Sequence, residues 1–293
     1  MTLVAALTGL EGAAMFADTQ ETIYGYSKKT VDKLCVFDLP NRPFRFAIAG
    51  ATTDANYVDM LQAELVDVLN VQTGYDARQI TKALTEKLLE FYPKHVWQRP
   101  ESRPQMEYLI TLQPLPHGEP KIIHIAETAA NVITGWHKSI GIGCYLADYL
   151  FNSVLGGGEP LTQLANASVY VAQETSDNVD GVGPIDRVVL FGDDGSYDEL
   201  RRSEIESLEV NLKQMHEITS TSFAAITCCQ NKDDHDMWQD HLSNTLRELY
   251  EENTKIFDKW VRGRDNRKRY LQFRAKRQLR AHSASGGDGG SAS

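Results

Sequence analysis

The 293-residue chain is 42% hydrophobic, 24% charged and 9% aromatic, the balance of an ordinary globular protein rather than a disordered or fibrous one. No run approaches the ~20 consecutive apolar residues that a membrane-spanning helix needs. The formal charge of −10 is uneven: Lys259–Arg280 holds ten Lys/Arg against one acid, Asp265, a local +9 that leaves −19 on the remainder. Four cysteines (Cys35, Cys144, Cys228 and the adjacent Cys229) make no disulfide framework and fit a reducing, cytoplasmic setting.

Residues 1–17 are apolar and end in small residues, as a signal peptide does. No Lys or Arg precedes them, however, and Gly9, Glu11 and Gly12 interrupt the run. The better reading is a hairpin of two short strands, Thr2–Thr8 and Ala13–Ala17, joined by a Gly-Leu-Glu-Gly turn. Removal of Met1 would leave Thr2 at the N-terminus. A terminal threonine can attack a carbonyl with its hydroxyl while its own α-amine, whose ordinary pKa is about 7.7–8.0, takes the proton. A Met-Thr start alone carries no catalytic meaning.

Helical periodicity follows in residues 53–70 (Val58, Leu61, Leu65, Leu69) and 76–92 (Ile80, Leu84, Leu88). Strand-like runs come next at Glu107–Gln113, Lys121–Ala126 and Asn131–Ile142. Two further helices are predicted at Cys144–Val154 and Leu161–Thr175, then a strand at Ile185–Phe191. Asp198–Met215 places Leu200, Ile205, Leu208, Leu212 and Met215 on one helical stripe, and Asp236 to about Arg262 does the same with Trp238, Leu242, Leu246, Leu249, Ile256 and Trp260. That last helix reads as one docked on its own or a neighbouring subunit. The basic stretch Lys259–Arg280 interleaves Trp260, Tyr270 and Phe273 with its charges. Nucleic acid, an anionic membrane, an acidic neighbour or plain solvation are all open to it. The closing SASGGDGGSAS is flexible by composition.

Other signals carry no cofactor. Gly141-x-Gly143 lacks the third glycine of a dinucleotide loop, and no phosphate loop with Lys-Ser/Thr is present. Cys228-Cys229 with His235 and His241 lacks the two-to-four-residue spacer of a metal site. Neither a metal nor another cofactor is therefore expected.

The ordered set of residues in the first 54 positions resembles the β-type subunits of the proteasome family of N-terminal-nucleophile hydrolases. Those begin with threonine on a strand, turn at a glycine and place aspartate sixteen residues on, where Asp18 stands. Thr22 follows four residues later, as in the family. Lys33, opening Leu34-Cys35-Val36-Phe37, fits the family lysine with a one-residue deletion; Lys28 and Lys29 compete but leave the next strand out of register. Ala49-Gly50-Ala51-Thr52-Thr53-Asp54 fits the turn into the first helix.

The resemblance implies an α+β fold, a four-layer α-β-β-α sandwich over residues 2–220, with a helical extension (221–281) and a tail (282–293). It implies a threonine-type endopeptidase acting through an acyl-enzyme on Thr2. Lys33 is then the cation that lowers the pKa of the Thr2 amine and hydroxyl, Asp18 its partner, and Gly50 the oxyanion donor. Asp177 is the counterpart of the aspartate in the family's Asp-x-x-Ser-Gly motif. Thr22, Ile48 and Ala51 would bind the peptide, Ile48 as the floor of an apolar pocket. Two family serines are replaced, by Ile142 and Asp180. The absence of a pro-segment beyond Met1 is similar to the simpler bacterial relatives, such as the heat-shock-locus V peptidase. Rings of identical subunits and a separate ATPase or activator are expected from the same resemblance. A catalytically weak scaffold subunit, or an amidase for a small amide, are the alternatives.

Overall fold

The structure is a computed structural model that describes residues 2–23, 27–38, 42–52, 55–98, 103–214, 240, 243–252 and 254–255, without the side chains of 21–23, 27–29 and 55–56. Its backbone contacts divide the chain into two compact units, Met1–Gln214 and Met215–Ser293.

The first unit is α+β. Its first strands, β1 (Leu3–Gly9) and β2 (Gly12–Ala17), form a hairpin closed by Leu10 and Glu11, with Gly9 opposite Gly12. Gly12 has φ +151°, and a Cβ there would lie 1.9 Å from the carbonyl oxygen of Phe191. Only glycine fits. A small ribbon of β3 (Gln20–Ile23) and β4 (Ser27–Thr30) follows, then β5 (Cys35–Phe37) and the long β6 (Phe44–Thr52). Helices α1 (Ala55–Asn70) and α2 (Ala77–His95) come next, the latter capped by Asp76, whose carboxylate accepts from the N–H groups of Arg78 and Gln79.

Strands β7 (Met106–Pro114), β8 (Lys121–Ala126), β9 (Ala129–Val132) and β10 (His137–Gly141) lead to α3 (Cys144–Val154) and α4 (Leu161–Asn178). Strands β11 (Arg187–Gly192) and β12 (Tyr197–Arg201) and a helix over 202–214, α5, complete the unit. Two five-stranded antiparallel sheets result, ordered β10-β1-β2-β11-β12 and β5-β6-β7-β8-β9.

Both faces of these sheets are covered, which is why β1 and β2 read as unbroken apolar runs instead of alternating ones. Val4, Ala6, Met15, Ala17, Ile140, Val189 and Phe191 of the first sheet share one buried cluster with Ala47, Ala49, Ala51, Leu109 and Ile122 of the second. The small alanines let the sheets approach. The opposite face of the second sheet, through Phe46, Ile48, Tyr108 and Ile110, packs on Leu61 and Leu65 of α1 and Ile80, Leu84 and Leu88 of α2. On the other side of the first sheet, Phe16 of β2 meets Phe151 of α3, with ring centroids 6.4 Å apart.

Three elements differ from the sequence reading. The strand expected over Asn131–Ile142 is two strands, parted at residues 133–136, where Gly135 and Trp136 form a bend. The helix expected from Asp198 starts as strand β12, because Leu200 pairs with Val188 of β11 and is buried there. Strand β6 does not turn at Gly50 but runs to Thr52, paired opposite Met106. In the second unit, residues 243–252 are helical, with Leu249 buried and Tyr250 exposed. Trp238, Leu242, Trp260, Cys228, Cys229, His235, His241 and the whole basic stretch lie outside the described residues.

Candidate active site

The buried hairpin fixes where Thr2 stands. Leu3 is held on two sides: its carbonyl accepts from Asp18 N–H at 2.9 Å, and its N–H donates to Asp18 Oδ1 at 2.9 Å. One residue earlier, the Thr2 carbonyl accepts from Ile142 N–H at 2.9 Å. Gly141 allows that approach, since a Cβ at its φ of +91° would fall 2.0 Å from the Thr2 oxygen. Thr2 is thus a nearly buried residue at the end of a strand whose neighbours on both sides fix its backbone.

Lys33 reaches the same point from the loop before β5. Its Nζ donates to Thr2 Oγ1 at 2.8 Å, to Asp18 Oδ1 at 2.8 Å and, in a shorter contact, to the carbonyl of Gln20. These three acceptors match the three donors of an ammonium group. The Asp18 carboxylate has no exposed surface and is offset by the ammonium and by three main-chain donors: Leu3, Gln20 (3.2 Å) and Gly183 (3.1 Å). A buried carboxylate needs such partners, because desolvating it unpaired costs several kcal/mol.

Gly183 belongs to the loop after α4, and sequence reasoning does not single it out. A Cβ there would meet Gln20 Cβ at 2.4 Å, so the loop sits tightly against the segment whose carbonyl Lys33 uses. The same loop holds Thr19, whose N–H and hydroxyl both donate to the Pro184 carbonyl at 2.9 Å. Nothing local in the sequence signals these contacts beyond the glycines Gly181 and Gly183.

Gly50 and Ala51 lie on β6. Cys35 pairs with Ile48, so the register extended by two residues brings Lys33 level with Gly50. Ala51 faces the inter-sheet cluster and lies 3.5 Å from the place a Cβ on Gly141 would take. At Gly50 a Cβ would strike Tyr108 Cε1 at 2.6 Å and Val58 Cγ2 at 2.8 Å. Tyr108 is fixed by a 2.6 Å hydrogen bond from its hydroxyl to the Val58 carbonyl, and burial pushes its pKa up. Close packing alone therefore demands glycine at position 50.

Ile48 is fully buried in the cluster that faces α1 and α2. Beside it Cys35 accepts from Gln62 Nε2 at 3.3 Å, and partial burial outweighs that bond in pushing the thiol pKa up. Thr22 stands in β3 opposite Lys28, and Glu21 opposite Lys29, with side chains outside the described residues. Asp177 is exposed in the last turn of α4, and Asp180 is exposed just beyond it. The hydrogen bonds described above for Lys33 and Asp18 do not involve either of them. Ile142 is 48% exposed, and its hydrogen bond to Thr2 is through main chain. Among the described residues no group of three His, Cys, Asp or Glu is placed to hold a metal, and no helix is long and apolar enough to cross a membrane.

The fold has counterparts among solved structures. An Anbu (Gly-1) mutant from Hyphomicrobium sp. strain MC1 superposes with a TM-score of 0.61 at 15% identity, covering 79% of this chain and 99% of that one. Anbu from Yersinia bercovieri, described as an ancestral beta-subunit, gives 0.62 at 17% identity over 76% and 96% of the two chains. A helical assembly of the Anbu complex from Pseudomonas aeruginosa gives 0.59 at 14% identity over 73% and 95%. The chain shares its fold with these Anbu proteins. No family model matches the sequence, and no curated protein matches it either.

The expected kinship is corrected by these likenesses. The sequence alone sets the chain among the β-type proteasome subunits, nearest the simple heat-shock-locus V peptidase. Its structural neighbours are instead Anbu proteins, which are proteasome-like but distinct.

Proposed function

We propose that this chain is a proteasome-like hydrolase subunit in which Thr2, bared by removal of Met1, cleaves peptide bonds. The observation that carries the reading is Lys33 Nζ standing 2.8 Å from both Thr2 Oγ1 and Asp18 Oδ1. An ammonium aimed at a hydroxyl oxygen favours the alkoxide as the proton leaves. In the proposed reaction the terminal amine takes that proton, and Oγ1 adds to the peptide carbonyl. The amine then returns the proton to the leaving nitrogen as the C–N bond breaks. Water attacks the resulting ester by the same route, releasing the acid and restoring Thr2.

Gly50 N–H is proposed as the oxyanion donor, a contribution typically of about 2.7–4 kcal/mol. Its level with Lys33 in the extended register supports that role. Thr22 and the Gly50–Ala51 strand would hold the peptide by strand addition, and Ile48 would underlie the pocket. Asp177 is retained as a proposed contributor near the nucleophile. A four-layer α-β-β-α order is proposed as well, supported by the cluster the two sheets share and by the packing of α1 and α2 on the second sheet. Several copies are proposed to assemble. One heterologous interface gives a ring if its rotation closes and a helical array if it does not, and the P. aeruginosa Anbu is a helical assembly.

A scaffold role has one observation in its favour: exposed Ile142 stands where the family carries a serine, so no hydroxyl supports the nucleophile there. Intact-protein mass measurement, with a fluorogenic peptide panel on wild type and Thr2→Ala, separates the readings. Loss of Met1 and cleavage that vanishes in Thr2→Ala are expected. A retained Met1, or the absence of any Thr2-dependent cleavage, would leave the scaffold role.

A further inference from the structure

We infer that Arg187 and Asp32 form a clamp that positions Lys33, a role that rests on the proposed function of Thr2. Lys33 lies on a short stretch without regular structure, between β4 and β5. Such a segment does not fix a long side chain by itself. Three contacts pin it to its surroundings. Val31 N–H donates to the Thr19 carbonyl at 2.8 Å, on the residue next to Asp18. Asp32 Oδ1 accepts from Leu34 N–H at 3.1 Å, which folds the backbone tightly around Lys33 itself. The third contact is the one that ties this turn to the sheet. Arg187 Nη2, from the first residue of β11, donates to both carboxylate oxygens of Asp32 at 2.9 and 2.8 Å.

Arg187 is well placed to serve as an anchor. Its strand is paired on both sides, with β2 and β12. Its Nη1 lies 3.6 Å from Glu199 on β12, a second carboxylate that keeps the guanidinium turned toward the loop. Only 22% of the Arg187 side chain is exposed, against 58% of Asp32. A pair this open adds little to global stability. Its effect is geometric: one Asp32 oxygen both closes the turn and meets the anchor, so the position of the Lys33 backbone depends on the Arg187 contact. A misplacement of about 1 Å in a catalytic constellation costs about 100-fold in rate. Arg187 and Asp32 act on the Thr2 hydroxyl through Lys33. They are positioning residues.

The test is a double-mutant cycle on the full chain with Asp32→Asn, Arg187→Ala and the pair combined, with Arg187→Lys as the milder variant. Each single change is expected to lower kcat by about tenfold to 100-fold while KM stays within about twofold. The double variant should lose no more than the worse single one, since both remove one clamp. Arg187→Lys, which keeps the charge without the fork, should retain more activity than Arg187→Ala. Unchanged kcat in Asp32→Asn, or losses that simply multiply in the double variant, would overturn the clamp. A crystal structure of Asp32→Asn gives an answer independent of turnover. The Lys33 Nζ to Thr2 Oγ1 separation should exceed about 3.5 Å, and a distance still at 2.8 Å would refute the inference. If the wild type shows no Thr2-dependent cleavage the functional reading fails, and this distance alone decides the clamp.

Discussion

Replacing Lys33 by alanine tests the site through both stability and chemistry. The change leaves the Asp18 carboxylate buried with no exposed surface and without its counter-ion. Stripping one partner from a buried ion pair typically costs about 3–5 kcal/mol. Asp18 keeps three main-chain donors, from Leu3, Gln20 and Gly183, so the lower end, about 3 kcal/mol, is expected. For a unit of this size that is about 6–12 °C in Tm, read by calorimetry. Turnover is hit harder, since removing one member of a nucleophilic unit typically costs about 1,000-fold or more. The two losses can be told apart by assaying peptide hydrolysis well below the transition, where the variant remains folded. Lys33→Met, which keeps the aliphatic stem, should be as inactive as the alanine. Near-normal turnover in Lys33→Ala, together with its abolition in Lys29→Ala, would refute the placement of the cation.

The remaining expectations concern packing and pH. Gly50→Ala drives a methyl group into the ring of Tyr108, whose Cε1 lies 2.6 Å away; overpacking of this kind costs about 1–3 kcal/mol, and a urea midpoint equal to wild type would show the wall to be soft. His137 is mostly buried against Phe151, with Asp148 at 3.8 Å and Lys138 beside it. Burial lowers its pKa below the ordinary 6.5 despite the carboxylate. The unfolded chain therefore binds this proton more readily, and stability is complete above 6.5 and declines as the pH falls below it. His137→Gln should flatten that part of the stability profile. An unchanged slope would assign the decline to other groups.

Local features of the first 54 residues are legible because the chemistry there is local or nearly so. The Gly9–Gly12 turn sets the hairpin register, and that register alone carries Asp18 back to Leu3. A lysine two residues before the next strand completes the triangle. What the sequence pattern misplaces is decided elsewhere in the chain. Leu200 falls on the same apolar stripe as Ile205 and Leu208, and only pairing with Val188 makes its segment a strand. The strand-like run ending at Ile142 looks continuous, yet it parts at residues 133–136 because β9 pairs with β8 in one sheet and β10 with β1 in the other. Gly50 looks like a turn glycine, whereas the reason for it is a tyrosine ring on the neighbouring strand.

The site shows the same limit more sharply. Thr2, Asp18 and Lys33 lie close together in the chain, and spacing is enough to propose them as a set. Their supports come from much farther away: Gly183 N–H to Asp18 and Arg187 to Asp32 each bridge more than 150 residues. A main-chain donor leaves no mark of residue type beyond the glycine that lets it approach, and an arginine opening a strand is indistinguishable from a solvated one. The order of the signal follows from this. Groups that do chemistry must be particular side chains and so can be read in a sequence. Groups that hold them need only supply an N–H or a charge at the right place, which the fold provides. The Anbu likeness marks the same boundary: at 17% identity the framework persists, while the residues that fasten Lys33 have to be found in this chain's own structure.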